Sequence, residues 1–202
     1  MSTPTILPLG LSLQHSALVA AIHASPMMAV IVVTGGGAQA IADLLAVPGA
    51  SKTVLEALAP YSGRSLSKFL GAAPTQAVSV DTAAAMARAA YQRALQLKEE
   101  ETTPVLGLSC TATLATDRPK KGEHRAHLGL CNGEKTRVYS LTLAKGARNR
   151  QEEERVVSNL LLHVLAEACN VARSKELELL PGEQITVHEF VGKPFRTIAP
   201  SA

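Results

Sequence analysis

The hydrophobic pattern divides the chain into stretches of two different periods. "LSLQHSALVAAIHAS" (Leu11–Ser25) has helical character, and Pro26 ends it. "MMAVIVV" (Met27–Val33) is a continuous apolar run, partly β-branched, as in a strand buried on both faces. Three glycines follow, and Ile41, Leu44 and Leu45 then return at helical spacing over Ala38–Val47 until "PGAS" (Pro48–Ser51) interrupts them. Val54, Leu55 and Leu58 predict a second short helix. "PYSGRSLSKFLG" (Pro60–Gly71) predicts a turn and a brief helix.

The strongest helix signal is "VSVDTAAAMARAAYQRALQLKEE". Ser79 caps it, and Ala83, Ala84, Ala87, Tyr91 and Leu95 line one face. "PVLGLSCTATLA" (Pro104–Ala115) predicts a buried strand, and a polar loop, "TDRPKKGE", leads from it to "HRAHLGLCN". "NGEK" predicts a hairpin turn into "TRVYSLTLA". In "NRQEEERVVSNLLLHVLAEACNVA", Asn149 and Glu152 form a capping box, and the acidic run suits the positive end of a long amphipathic helix. "ITVHEFVG" predicts a lone strand. The resulting order of elements describes an α/β fold, a three-layer α/β/α sandwich with a mixed sheet. Residues 1–25 form an N-terminal helical extension, 26–174 the main domain, and 175–202 a tail with a short strand.

Composition narrows the classes. Hydrophobic residues make up 47% of the 202, yet aromatics only 3% and Trp is absent, so Ala, Leu and Val must build the core. A net charge of +3, with no basic stripe interleaved with aromatics, argues against a nucleic-acid partner. The three cysteines, Cys110, Cys131 and Cys169, lack CxxC spacing, which argues against a zinc site or disulfide framework and fits a reducing compartment. No apolar run reaches membrane-spanning length, and "MSTPTILPLG" is not a signal peptide. The expectation is a cytoplasmic protein with no membrane contact, no metal and no cofactor.

Three features carry candidate chemistry. Thr34, Gly35, Gly36 and Gly37 lie between strand and helix, where backbone N–H groups favour anions and glycine lets a ligand approach closely. The alternative is a tight corner without ligand. A relaxed dinucleotide fingerprint, Gly35-x-Gly37-x-x-Ala40, would need Glu56 as the ribose-holding acid, but Glu56 falls in a helical pattern. In the polar loop, Arg118, Lys120, Lys121, His124 and Arg125 gather five cations that would suit a phosphate, or simply keep the loop solvated. Tyr61 would orient a substrate or satisfy one hydrogen bond in the core. His124 and His127 point to opposite faces of a strand, and Cys110 is a small buried hydrophobe.

Thr34-Gly35-Gly36, Val47-Pro48-Gly49-Ala50-Ser51, Tyr61-Ser62 and Phe69-Leu70-Gly71, continued by "VSVDTAAAMARAAYQRA", "PVLGLSCTATLA" and "ARNRQEEERVVSNLLLHVL", resemble the CinA C-terminal domain family. The resemblance covers roughly Pro26 to Ala172 and implies an α/β/α sandwich, a homo-oligomer and nicotinamide-nucleotide amidase activity. Family amidases carry Glu-Ser-Cys before Thr-Gly-Gly, with the serine as nucleophile; here Ile31-Val32-Val33 stand there, so Val32 replaces the serine. The lysine that serves as base falls on Leu66, with Lys68 two positions on, and the family's glycine-rich later loop is replaced by "TATLATDRPKKGEHR". The pattern is similar to a divergent eukaryotic branch in which a CinA-like half precedes a nucleotidyltransferase domain, which implies a nucleotidyltransferase-type partner. The resemblance therefore implies a domain without serine catalysis that still binds a pyridine nucleotide or other phosphate-bearing small molecule. Two alternatives stand beside it: an assembly scaffold, or an amidase with relocated groups, Thr34, Tyr61 and Lys68.

Overall fold

The computed structural model describes residues 13–117, 121–172 and 177–191. Its elements run α1 (Leu13–His23), β1 (Met28–Thr34), α2 (Ala38–Ala46), β2 (Val54–Leu58), α3 (Gly63–Leu70), α4 (Val80–Leu97), β3 (Val105–Thr113), β4 (His124–Cys131), β5 (Lys135–Leu143), α5 (Arg150–Ala168) and β6 (Gln184–Val191). Six strands form one sheet in the order β2-β1-β3-β4-β5-β6. β1 pairs parallel with both β2 and β3, and the pairs β3–β4, β4–β5 and β5–β6 are antiparallel. The fold is thus the mixed α/β/α sandwich that the apolar pattern predicts.

Two sequence expectations change. The stretch from Val54 to Leu58 is a strand, not a helix. Its apolar spacing fits either element, and five residues are too few to separate the periods; the parallel register with Ala29–Val32 decides it. The strand from Gln184 is not alone: it closes the sheet edge by pairing along the length of β5.

The helices cover the sheet unequally. On one face α1, α2 and α5 bury Leu18, Ile22, Leu44, Leu161, Leu162 and Leu165 against Ile31, Leu106, Leu108 and Leu128. On the other, α3 and α4 pack Leu66, Met86 and Ala90 against Val30 and Val32. His23 ties α1 to the sheet edge: its Nε2 donates to the Leu44 carbonyl at 3.0 Å, so its Nδ1 faces the Thr53 hydroxyl at 2.9 Å. Among the described residues no helix is long and apolar enough to cross a membrane, and no group of His, Cys, Asp and Glu could hold a metal ion.

Candidate functional site

The glycine turn joins the end of β1 to α2, and packing explains much of its composition. Gly35 has φ +74°, and a Cβ there would lie 2.0 Å from the Ala112 carbonyl oxygen of β3. Gly37, at φ +90°, is the N-cap of α2, and its missing side chain leaves room for Cys110. Both positions therefore combine a left-handed backbone with close approach, which glycine alone meets without strain. Burial, and then the Glu154 charge, push the Cys110 thiol well above the ordinary range, so it stays protonated as an inert packing group.

The first turn of α5 completes the site. Asn149 and Glu152 form the capping box expected from sequence, fixing where the helix begins. Arg150 Nη2 then donates to the Gly35 carbonyl at 2.9 Å, and the Gln39 backbone N–H donates to Glu154 Oε1 at 3.1 Å. Ser158 Oγ donates to the same Glu154 oxygen at 3.3 Å. Thus α2, whose N-cap side makes no side-chain bond of its own, has its positive end covered by a carboxylate from 115 residues away. A cavity of about 480 Å³ opens between these elements, lined by Thr34, Gln39, Tyr61, Arg150, Gln151 and Glu154 among others.

The residues singled out in the sequence separate here. Thr34, Gly35, Gly36 and Tyr61 line the cavity; Gly37 lies just behind it as the α2 cap. Among the described residues no base lies within hydrogen-bond distance of the Thr34 hydroxyl. Tyr61 is 73% exposed, so it is not the core residue that one sequence reading offered. Lys68 is exposed on the last turn of α3 and does not line the cavity.

The loop cations do not act as one group at the glycine turn. Arg118 and Lys120 lie outside the described residues, and Lys121 is exposed. His124 and Arg125 are consecutive on β4 and so point to opposite faces. His124 Nδ1 donates to the fully buried Glu153 at 2.6 Å, while the other oxygen of Glu153 accepts the Ala115 amide at 2.6 Å. One carboxylate thereby holds both ends of the polar loop against α5. Arg125 instead reaches the Val78 carbonyl at 3.4 Å beneath the start of α4, with its Nε buried and unbonded. Glu56 lies in β2, where it accepts two hydrogen bonds from Arg93 at 2.7 and 2.9 Å, which holds its carboxyl below the usual range. It is committed to α4 and does not line the cavity. Sequence reasoning missed Arg150, Gln151 and Glu154 as site residues; the only signal was the charged start of the last helix.

No family model matches the chain, and no curated protein matches it by sequence. Solved structures do. The competence/damage inducible protein CihA from Agrobacterium tumefaciens matches 83% of this chain and 99% of its own at a TM-score of 0.60, with 20% identity. This chain has a CinA-like fold. A CinA superfamily protein from Enterobacter cloacae matches at 0.54 with 16% identity, covering 84% of this chain and 98% of its own. One from Escherichia coli matches at 0.53 with 16% identity, covering 81% and 94%. Within this CinA-like fold, Val32 and Leu66 are 0% and 3% exposed and belong to one apolar cluster between β1, α3 and α4. The positions at which the sequence resemblance puts a nucleophile and a base therefore meet as packed hydrocarbon.

Proposed function

We propose that this CinA-like domain binds a phosphate-bearing small molecule of the pyridine-nucleotide class between the glycine turn and α5, without hydrolysing it. The observation that carries the reading is an open, largely apolar cavity with Thr34, Arg150 and Glu154 on its wall, beside the buried position where the resemblance would place a nucleophile. Val32 and Leu66 share a buried cluster, and neither side chain can attack a carbonyl or move a proton. Thr34 faces the cavity, and among the described residues no base lies within hydrogen-bond distance to activate it. The cavity volume of about 480 Å³ suits a mononucleotide. Arg150 supplies a planar guanidinium for the phosphate, and Gly35 and Gly36 let the ligand lie close to the backbone.

Calorimetry with nicotinamide mononucleotide, its acid form and ADP-ribose tests this. Saturable heat is expected from at least one, weakened about ten-fold in Arg150→Gln, the cost of one charge-assisted contact. Silence from all three at millimolar concentration sinks the reading. An ammonia-release assay is expected to stay at background; release that vanishes in Thr34→Val would make Thr34 a nucleophile and restore the amidase alternative.

One observation favours assembly as a second role. On β6, at the sheet edge, Val187 and Val191 are 55% and 83% exposed, and no described strand pairs with its outer side. Light scattering is expected to show an oligomer that Val187→Lys dissociates; a monomeric wild-type protein would exclude it.

A further inference from the structure

Arg150 and Glu154 stand four residues apart on one face of α5, the spacing at which opposite charges usually pair. Here they do not pair. Arg150 turns to the carbonyl of Gly35 and Glu154 to the amide of Gln39, so the two charges grip opposite backbone groups of the same turn. Both remain on the cavity wall with Gln151 between them in sequence, and neither is fully buried. The cavity therefore presents a cation and an anion side by side.

The carboxylate has a second consequence. The Gln39 amide and the positive end of α2 would otherwise attract a ligand anion, but Glu154 already occupies that position. An incoming carboxylate or phosphate at the α2 end would meet a like charge and find its donor taken. A carboxamide, ammonium or cationic ring would meet an acceptor instead. Arg150 keeps N–H donors beyond the one given to Gly35, and these can receive an anionic group at the other end of the ligand.

We infer that Glu154 sets the polarity of this site: its ligand is dipolar, with a hydrogen-bond donor or positive group at the α2 end and an anionic group at Arg150. This rests on the binding reading above and deepens it by naming the group that discriminates. Glu154 rejects the acid form of a ligand whose amide form it accepts.

The test is a pair of probes that differ at one group, nicotinamide mononucleotide and nicotinic acid mononucleotide, titrated calorimetrically into wild-type protein, Glu154→Gln and Arg150→Gln. Wild-type protein is expected to bind the amide about ten-fold or more tightly than the acid, as like-charge juxtaposition demands. In Glu154→Gln that ratio collapses toward one, chiefly because the acid gains affinity. In Arg150→Gln both ligands weaken and the ratio is kept. Gaining affinity for the acid is a readout that misfolding cannot mimic, and Glu154→Asp, which keeps the charge, is expected to keep the preference. Equal affinity of the two ligands for wild-type protein, or a ratio unchanged in Glu154→Gln, overturns the assignment of Glu154 while leaving ligand binding intact. No heat from either ligand overturns the assignment of Glu154, and silence from ADP-ribose as well overturns the binding reading.

Discussion

The two faces of the sheet are built on opposite principles. Under α1, α2 and α5 the gap is filled by large side chains, with Leu44, Leu108, Leu161, Leu162 and Leu165 all fully buried. Under α4 the gap is nearly closed. A Cβ on Gly107 would lie 2.1 Å from the Ala87 carbonyl oxygen and 2.2 Å from the Tyr91 nitrogen, and one on Gly129 would lie 2.5 Å from the Ala83 carbonyl oxygen. The alanine face of α4 therefore sits almost backbone to backbone on β3 and β4. Ser109 and Thr111 of that face donate to the Ala83 and Ala77 carbonyls at 2.7 and 2.6 Å. The difference teaches where a site can form. A cavity opens at the glycine turn between α2 and α5, whereas on the other face Val32 and Leu66 are buried with Met86 and Ala90 in one apolar cluster.

The contrast makes the most damaging substitution on each face chemically opposite. Gly107→Ala is expected to cost about 4 kcal/mol, above the usual overpacking range because both opposing atoms are backbone. Urea unfolding measures it, and a loss below about 1 kcal/mol would break the comparison. On the other face Leu161→Ala is expected to cost about 3 kcal/mol through the cavity it leaves. If adding a methyl group at Gly107 proved milder than removing three carbons at Leu161, the α4 face would be looser than described.

The smallest effect sharpens the comparison where α4 gives out over β4. Burial, then the nearby Arg125 and His188, pull the His127 pKa down from 6.5 to about 4. The unfolded chain takes up this proton near pH 6.5 and the folded chain only near pH 4, so between those values the unfolded state holds more protons. Stability is expected to fall as pH drops through that window and to be insensitive to this group above it. His127→Gln should flatten the slope of unfolding free energy against pH; an unchanged slope would mean that His127 is more solvated than its place beside Ser140 implies.

Much of the architecture is legible locally. Asn149 and Glu152 announce the start of α5, Ser79 accepts from the Thr82 amide as a cap should, and "NGEK" turns β4 into β5 with Asn132 accepting the Glu134 and Lys135 amides. These features involve neighbours within four residues, so sequence spacing is already spatial spacing. β2 escapes because its identity lies in a partner strand some twenty residues upstream, and β6 because the strand that gives it an edge lies beyond an entire helix.

The site divides in the same way. The glycine turn, Thr34 and Tyr61 stand out as residues, and Val32 stands out as the position where the CinA resemblance would place a serine. That His124 and Arg125 part company follows from strand alternation, yet the gathering of loop cations suggested one group. Arg150 and Glu154 reach Gly35 and Gln39 across 115 residues. Sequence by itself thus determined most of the elements and their caps, because propensity and side-chain identity are local. Only the tertiary structure decided which charge faces which backbone group, because long-range packing sets the direction of a side chain.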